Sequence, residues 1–363
     1  MKLAKLSLAA IMAVGALSTA NAQSLEEAIK GVDFSGSIAY TTSVRDINNA
    51  DGDSNNDWDI GFKFVVPVAD NVKATIGAGT DAFNTATTQL GDVSNRAGAR
   101  DQGIAVKDLY FTYAKNALTL KAGYQYLPTP FTDESGNGLV AMYNLGKVTL
   151  AGGYFANTED QGGSDVAAVA VIGSFGVANA QVWAAQVPGV VDRIFFVQVD
   201  GSVAGASLTA QYINTKLDVV NAQTGDFFAI KAGYSMNNFG LSAVYTKNDT
   251  DQPVHALAND GDNKVIAAGY RIVPANNGYA NYESTYGVEG KATFGSIGIK
   301  AGYAVGNNTG ALVNGTNDVD EMYAVVSYAY SKNLTSYIAY STVNDDTNTG
   351  DYDFYRFNAK YSF

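Results

Sequence analysis

The sequence predicts an all-β protein, a transmembrane antiparallel up-and-down β-barrel of about 18 strands. Three observations carry this prediction. Many segments of about ten residues alternate between apolar and polar side chains, which is the two-residue period of a β-strand. The connections between these segments alternate between short turns and long polar stretches. After residue 22, no stretch approaches the roughly 20 apolar residues that a transmembrane helix needs, whereas barrel strands dilute the apolar signal in this way.

The amino-terminal segment has the pattern of a secretory signal peptide. Lys2 and Lys5 precede an apolar run over residues 6–17, and the small-residue sequence Ala-Asn-Ala at 20–22 follows. A charged start, a short apolar run and small residues at the cleavage site are the marks of export through the Sec pathway. We therefore expect a signal peptide over residues 1–22 and a single mature domain over residues 23–363, although the length alone also allows two domains.

The composition bounds the function. Removing residues 1–22 takes away two of the 23 basic side chains and none of the 35 acidic ones, so the net charge changes from −12 to −14. Such an acidic chain is a poor nucleic-acid binder. Cysteine is absent although export permits disulfides, so the stability has to come from another source. A closed, hydrogen-bonded sheet supplies it.

The strand segments are amphipathic over their whole length. In the closing segment 353–363, Tyr355, Phe357, Tyr361 and Phe363 share one face, and the other face is mostly polar. On these residues alone, a strand of an ordinary β-sandwich is the alternative. The same two-residue period occurs at residues 32–45, 58–66, 118–126, 228–234 and 297–303.

The connections give the strand count. Short turns are expected near residues 67–71, 115–116, 146–147, 174–176, 204–205, 236–238, 295–296 and 332–333, and longer polar stretches lie between them. Membrane barrels have short periplasmic turns and long external loops. The count is about 18 strands, with 16 or 20 as alternatives. Residues 264–272 look strand-like, but a wall strand there would leave the carboxy-terminus on the wrong side, so we assign them to a long external loop over 248–285.

Three passages carry a family resemblance: the mature start at residues 23–36, the stretch 120–140 with its Thr-Pro-Phe-Thr-Asp at 129–133, and the closing Tyr361-Ser362-Phe363. With these, the chain resembles the Campylobacter-type (epsilonproteobacterial) major outer membrane porins. The resemblance implies a homotrimeric, water-filled channel in the outer membrane of a Gram-negative bacterium, through which ions and small hydrophilic solutes pass by passive diffusion. It also implies that Tyr361 and Phe363 act as an assembly signal for the barrel assembly machinery.

In such porins the third external loop folds inward and narrows the pore. On this resemblance, residues 127–138 are the constricting loop, and Asp133 and Glu134 form the acidic side of the constriction. A charge on the lipid-facing side of a barrel costs about 2–4 kcal/mol, so cations near mid-strand belong in the lumen. The basic side therefore consists of Lys63, Lys121, Lys231, Lys291, Lys300 and Arg356. The alternative is that these side chains only solvate a wide channel.

The predicted external loops are acidic, which favours weak cation selectivity because an acidic mouth concentrates cations. Within residues 51–57, oxygen-bearing side chains recur at alternate positions, at Asp51, Asp53, Asn55 and Asp57. They are candidate calcium ligands, but the glycine and glutamate of an EF-hand loop are missing. A solvated acidic loop is the alternative. No cofactor is required.

The sequence gives little support to an enzyme. His255 is the only histidine, cysteine is absent, and neither a Gly-x-Ser-x-Gly nor a phosphate-binding loop occurs. Three other functions stay open beside the general porin. They are a substrate-selective channel for small anionic or zwitterionic solutes, a surface adhesin or structural barrel with a plugged lumen, and a secreted soluble β protein.

Overall fold

The computed structural model describes residues 31–48, 52–80, 104–127, 129–130, 135–156, 158, 164–220, 222–249, 265–272, 275–276, 279–280, 282–308, 318–346 and 351–363. The predicted signal peptide lies outside these ranges. In the described part of the chain the regular structure is all β, as predicted, and no helix there is long and apolar enough to span a membrane.

Eighteen strands form one continuous antiparallel sheet, in which each strand pairs with its neighbours along the chain. Two further strands of two residues each, β14 and β15, pair only with each other. The strands are β1 Asp33–Ile47, β2 Asp53–Ala69, β3 Val72–Thr80, β4 Ile104–Lys115, β5 Leu118–Tyr126, β6 Ser135–Asn144, β7 Val148–Ala156, β8 Val166–Ser174, β9 Ala178–Val187, β10 Val191–Val203, β11 Ala206–Leu217, β12 Thr224–Met236, β13 Phe239–Asn248, β14 Ala275–Asn276, β15 Tyr279–Ala280, β16 Ser284–Phe294, β17 Ile297–Asn307, β18 Val319–Ala329, β19 Leu334–Asp345 and β20 Tyr352–Ser362.

The sheet closes because the last long strand, β20, pairs with the first, β1, from Ser37↔Ser362 to Ile47↔Tyr352. The backbones of Gly36 and Phe363 add two reciprocal hydrogen bonds of 2.9 and 3.0 Å. The Phe363 ring lies 5.3 Å from that of Phe34. A closed barrel has no unpaired sheet edge, which is the condition for crossing a membrane with strands. The predicted count of 18 strands is confirmed.

The predicted alternation of faces is confirmed in all the amphipathic segments. Tyr355, Phe357, Tyr361 and Phe363 are exposed on the outside of the barrel, whereas Phe354, on the other face of the same strand, is buried. The outward apolar side chains are the surface that meets lipid. Tight turns join strands at the barrel end that carries Phe363, and several of their residues adopt positive φ, including Asn71, Asn116, Gly146, Asn237 and Gly295.

Two predicted loop boundaries are wrong. β1 extends to Ile47, and β2 begins at Asp53. Asp53, Asn55 and Asp57 therefore lie in a strand and not in a loop. β6 begins at Ser135, so the connection that follows β5 is shorter than 127–138. In both places the hydrogen-bonded ladder continues through polar residues, because ladder pairing satisfies backbone groups whatever the side chains are. The assignment of residues 265–272 to a loop is confirmed, since they form no part of the wall.

Candidate pore constriction

The segment Val265–Ile272 lies inside the barrel, a placement that we had not predicted. We call it the inward segment. Its two ends are held by side chains that point into the lumen from two separate wall strands. The Ile266 backbone N–H donates to Gln211 on β11 at 2.8 Å, and the Arg271 N–H donates to Glu321 on β18. The inward segment therefore spans part of the lumen and narrows it.

Glu321 is the main anchor of the inward segment. Its carboxylate is fully buried and accepts hydrogen bonds from the backbone N–H groups of Arg271 at 2.9 Å and Ile272 at 3.1 Å. The Ser341 hydroxyl on β19 donates to the same carboxylate at 2.5 Å. Hydrogen bonds to an ionised group are about twice as strong as neutral ones. A buried carboxylate with these three donors holds the turn at a fixed height in the barrel.

Close approach at the anchor requires glycine on both sides. A Cβ added to Gly269 would lie 2.2 Å from Glu321 Oε2 and 3.0 Å from Ala304 Cβ. A Cβ on Gly287 of β16 would lie 2.5 Å from the Ala268 carbonyl oxygen. Both distances are too short for any side chain, so the backbone of the inward segment touches the wall directly.

Aromatic and cationic side chains extend the contact toward β18 and β20. The Tyr270 ring stacks on Tyr323, with centroids 6.0 Å apart and an interplanar angle of 29°. The Arg271 guanidinium lies 4.3 Å from the Phe354 ring centroid, and Arg356 lies 5.1 Å from the same ring. Cations near ring faces are attracted by the ring quadrupole. Burial raises the pKa of Tyr270, which keeps its phenol neutral.

The opposite side of the lumen is apolar. The inward-facing side chains of β6 to β12 form a cluster of buried apolar residues that includes Trp183, Phe196 and Phe227. Val265 and Ile266 of the inward segment pack against this cluster. The inward segment is thus held on one side by the hydrophobic effect and on the other by the Glu321 carboxylate.

Lys63 and Asp108 form an ion pair of 2.7 Å on the inner wall, reaching across β3. Gly77 on β3 lies between Lys63 and Asp108 in the strand register. Its missing side chain leaves space for the ion pair, since a Cβ on Gly77 would lie 2.8 Å from Asp108 Oδ2. Lys121 points inward on β5 and lies 5.4 Å from the Tyr110 ring centroid. Lys63 on β2 and Lys121 on β5 both lie away from the inward segment.

A second charged group lies beside the inward segment. Glu289 on β16 pairs with Lys300 at 3.3 Å and accepts a hydrogen bond of 2.8 Å from the Tyr323 hydroxyl. Gly302 on β17 lies between Glu289 and Tyr323 in the register, and a Cβ on Gly302 would lie 2.5 Å from the Tyr323 ring. Lys291 lies directly opposite Lys300 on the neighbouring strand.

Of the predicted basic residues, Lys231, Lys300 and Arg356 lie beside the inward segment, and Lys291 lies opposite Lys300 in the register, whereas Lys63 and Lys121 lie on β2 and β5. Asp133 and Glu134 lie outside the described residues, and their constriction role stays a prediction. The inward segment follows β13, and Leu127, directly after β5, packs in the buried cluster on the inner wall. Sequence reasoning missed Glu321, although one signal was present: an acid on the inward face of a strand, between the outward-facing Asp320 and Met322.

Three of the four candidate calcium ligands, Asp53, Asn55 and Asp57, point into the lumen from one face of β2. The Arg45 guanidinium forms an ion pair with Asp53, and the Asn55 side-chain amide donates to Asp57. Asp51 lies outside the described residues. Within the described ranges, no group of three or more acidic, histidine or cysteine side chains is placed to hold a metal ion. Calcium binding stays a prediction that the geometry does not strengthen.

Comparisons with known proteins agree with this architecture. The family model of the Campylobacter major outer membrane protein matches residues 1–161. The chain is 29% identical over 179 residues to the outer membrane porin protein OmpD of Citrobacter koseri, a match that covers 41% of this chain. The match spans about half, 49%, of the length of that relative. The resemblance drawn from the sequence is therefore confirmed for the amino-terminal part of the chain.

Solved structures share the fold across nearly the whole chain. A BenF-like porin from Pseudomonas fluorescens has a TM-score of 0.71 at 14% identity, covering 92% of this chain and 98% of that one. OccK5 (OpdH) of Pseudomonas aeruginosa has a TM-score of 0.70 at 13% identity, with 92% and 98% coverage. OccAB3 of Acinetobacter baumannii has a TM-score of 0.70 at 12% identity, with 92% and 99% coverage. At these identities the likeness establishes the fold alone, a closed β-barrel like those of these porins, while the outer-membrane location follows from the family match and the porin relative.

Proposed function

We propose that this outer-membrane β-barrel is a general diffusion porin with weak cation selectivity. Ions and small hydrophilic solutes pass it by passive diffusion. One observation supports this most directly: a closed 18-stranded barrel whose lumen holds the inward segment Val265–Ile272, with the charged side chains of Lys231, Glu289 and Lys300 beside it. The fold and the family match point to a channel and not to an enzyme.

The cation preference rests on charges at the barrel end opposite the tight turns. Asp57 and Asp59 face the lumen on β2, on the same side as Lys63, and Asp53 lies on the same face nearer the start of that strand. A mouth lined by carboxylates attracts cations over a distance of about 8 Å at physiological salt. The lysines deeper in the lumen act against this preference, so we propose that the selectivity is weak.

The proposed partners follow from the same function. The outward apolar surface contacts outer-membrane lipid, and three copies associate through part of it into a trimer. The barrel assembly machinery recognises the closing strand with Tyr361 and Phe363. Each of these is a proposal that rests on the family resemblance and on the outward orientation of these aromatic side chains.

A second candidate function is a substrate-selective channel for small anionic or zwitterionic solutes. The observation in its favour is that Lys231 and Lys300 lie beside the inward segment, with Lys291 opposite Lys300 in the register and the carboxylate of Glu289 paired with Lys300. A surface adhesin or structural barrel is the remaining alternative, and it predicts a lumen that does not conduct.

Single-channel conductance of the refolded mature protein in a planar bilayer tests the proposal. The reversal potential is measured under a salt gradient, and small solutes are then added. We expect large steps, grouped in threes, and a reversal potential that indicates weak cation preference. An anion-selective reversal potential would refute the cation preference, and the absence of conductance by a correctly folded barrel would favour the structural barrel.

A further inference from the structure

We propose that three lysines at the tight-turn end of the barrel form a docking surface for the phosphate headgroups of anionic phospholipids in the periplasmic leaflet. They are Lys115, Lys147 and Lys332, and we call them the lysine rim. Lys115 ends β4, Lys147 lies between β6 and β7, and Lys332 lies between β18 and β19. All three are exposed, and none forms an ion pair with another described residue. This surface concerns lipid contact and does not depend on whether the barrel conducts.

The lysine rim occupies one half of the barrel end. Around the closed sheet, the tight turns after β18, β2, β4 and β6 follow one another, with the β20–β1 closure among them, and three of these four turns carry a lysine. The tight turns after β8, β10, β12 and β16 form the other half and carry no charged residue. The charge at this end of the barrel is therefore confined to one sector.

The sector is basic although the chain as a whole is acidic, with a formal charge of −12. Lys73 and Lys360 lie near the same turns, on the lumen side, and both are exposed. The acidic groups that the described residues place at this end are Asp33, Asp70 and the carboxy-terminus of Phe363. Five ammonium groups thus outnumber three acidic groups. Such a local excess of positive charge attracts anions.

The acidic residues are concentrated at the opposite end of the barrel. The long connections there, or the strand ends beside them, carry Asp46, Asp218, Asp318, Asp346 and Asp351. The two ends of the barrel therefore present surfaces of opposite charge. Because barrels have their short turns on the periplasmic side, the lysine rim faces the periplasmic leaflet of the membrane.

The lysine rim lies at the edge of the lipid-facing surface. Leu145 and Tyr330, each two residues before a rim lysine, are 58% and 63% exposed. At the turn after β4, the exposed Tyr143 pairs with Leu118 in the register. Tyrosine and lysine side chains at a membrane boundary keep their apolar parts in the hydrocarbon and extend their polar ends to the headgroups. The rim ammonium groups are therefore at the height of the headgroup phosphates.

The arrangement favours a lipid over a soluble anion. The rim lysines are on separate turns, and the two closest turns have β5 and β6 between them, so their backbones are about 10 Å apart at a strand spacing of about 4.8 Å. One small anion cannot bridge them, whereas neighbouring headgroups can each occupy one. A phospholipid also places its acyl chains on the adjoining apolar side chains. A soluble anionic polymer would contact the lysines alone.

The test uses the refolded mature barrel in detergent, with phosphatidylglycerol as the anionic probe and phosphatidylcholine with the same acyl chains as its zwitterionic analogue. Native mass spectrometry counts the lipids that the barrel retains. A lysine near an anionic membrane surface strengthens association about five-fold, so we expect phosphatidylglycerol to be retained about five-fold more tightly at each rim site. The triple variant K115Q/K147Q/K332Q should lose this preference. Raising the salt to about 1 M, where the Debye length is about 3 Å, should abolish it in the wild type.

The control is K121Q/K231Q/K291Q, which removes the same amount of charge from lumen-facing side chains and should keep the lipid preference. Equal retention of the two lipids by the wild type, or an equal loss of preference in both triple variants, would overturn the docking surface. If the rim variant did not fold, a preference that persisted in the wild type at high salt would overturn it. Sedimentation of the wild type, but not of the rim variant, with purified peptidoglycan, together with equal retention of the two lipids, would assign the lysines to the cell wall and overturn the lipid proposal.

Discussion

The backbone N–H of Arg271 donates to both carboxylate oxygens of Glu321 at 2.9 Å, so a residue of the inward segment is bonded to a wall residue 50 positions further along the chain. Glu321 is fully buried, and its carboxylate also accepts hydrogen bonds from the Ile272 N–H and the Ser341 hydroxyl. The bond therefore links the position of the inward segment, and with it the width of the passage, to a single side chain.

Replacing Glu321 by glutamine should release the inward segment. The amide has one acceptor oxygen where the carboxylate has two and carries no charge, and hydrogen bonds to a charged group contribute about 1.5–3 kcal/mol. We expect a larger and noisier single-channel conductance and faster trypsin cleavage after Arg271. The control is D320N, the neighbouring outward-facing residue. If E321Q conducted like the wild type and resisted trypsin equally, Glu321 would not be the anchor.

Replacing Gly269 by alanine should displace the same segment by a different route. The added Cβ would lie 2.2 Å from Glu321 Oε2, so the turn has to move away from its anchor. We expect a conductance change in the same direction as for E321Q, and no further change when the two substitutions are combined. Gly61→Ala is the matched control, because nothing lies within 4 Å of its added Cβ. Additive effects in the double variant would show that the two residues act separately.

Removing Lys63 should destabilise the barrel. Lys63→Met leaves the buried Asp108 carboxylate without its partner, and an unpaired buried charged group costs about 1–3 kcal/mol when its partner is half-exposed, as here. Urea unfolding followed by tryptophan fluorescence measures this loss. The double variant K63M/D108N should recover part of the stability. Lys121→Met, which breaks no ion pair among the described residues, is the control, and an equal loss in both variants would contradict the role of the pair.

Deleting Phe363 should impair barrel closure. The deletion removes two backbone hydrogen bonds to Gly36 and the contact of the Phe363 ring with Phe34. We expect a smaller fraction of folded, heat-modifiable barrel on denaturing gels and less protein in the outer membrane. Ser362→Ala keeps the chain length and both hydrogen bonds, and it should assemble normally. Normal assembly of the truncated chain would argue against an assembly signal at Phe363.

Neutralising the lumen-facing acids of β2 should lower the cation preference. The double variant D57N/D59N removes two negative charges near the mouth, so the ratio of cation to anion permeability should fall toward unity, most clearly at low salt, where screening is weak. Reversal potentials in salt gradients measure it. Asp353→Asn is the control, because Asp353 faces outward and bonds the Tyr340 hydroxyl at 2.9 Å. An unchanged permeability ratio would show that other residues set the cation selectivity.

The sequence by itself determined the barrel, its strand number and the face on which each strand residue lies. The reason is that alternation is local: once Tyr355 and Phe357 face lipid, Arg356 must face the lumen, whatever the rest of the chain does. The same rule predicted the inward orientation of all six basic wall residues. It could not predict which of them come together, because Lys291 and Lys300 meet only through the register of two strands.

The tertiary structure alone decided which segment enters the lumen. Residues 265–272 carry no periodic signal for that placement, and their position depends on Glu321, Gln211 and the apolar inner wall, which lie on strands far away in sequence. The family resemblance instead directed attention to residues 127–138. Side-chain alternation specifies a surface one strand at a time, whereas the width of a pore depends on contacts across the barrel that exist only after it has closed.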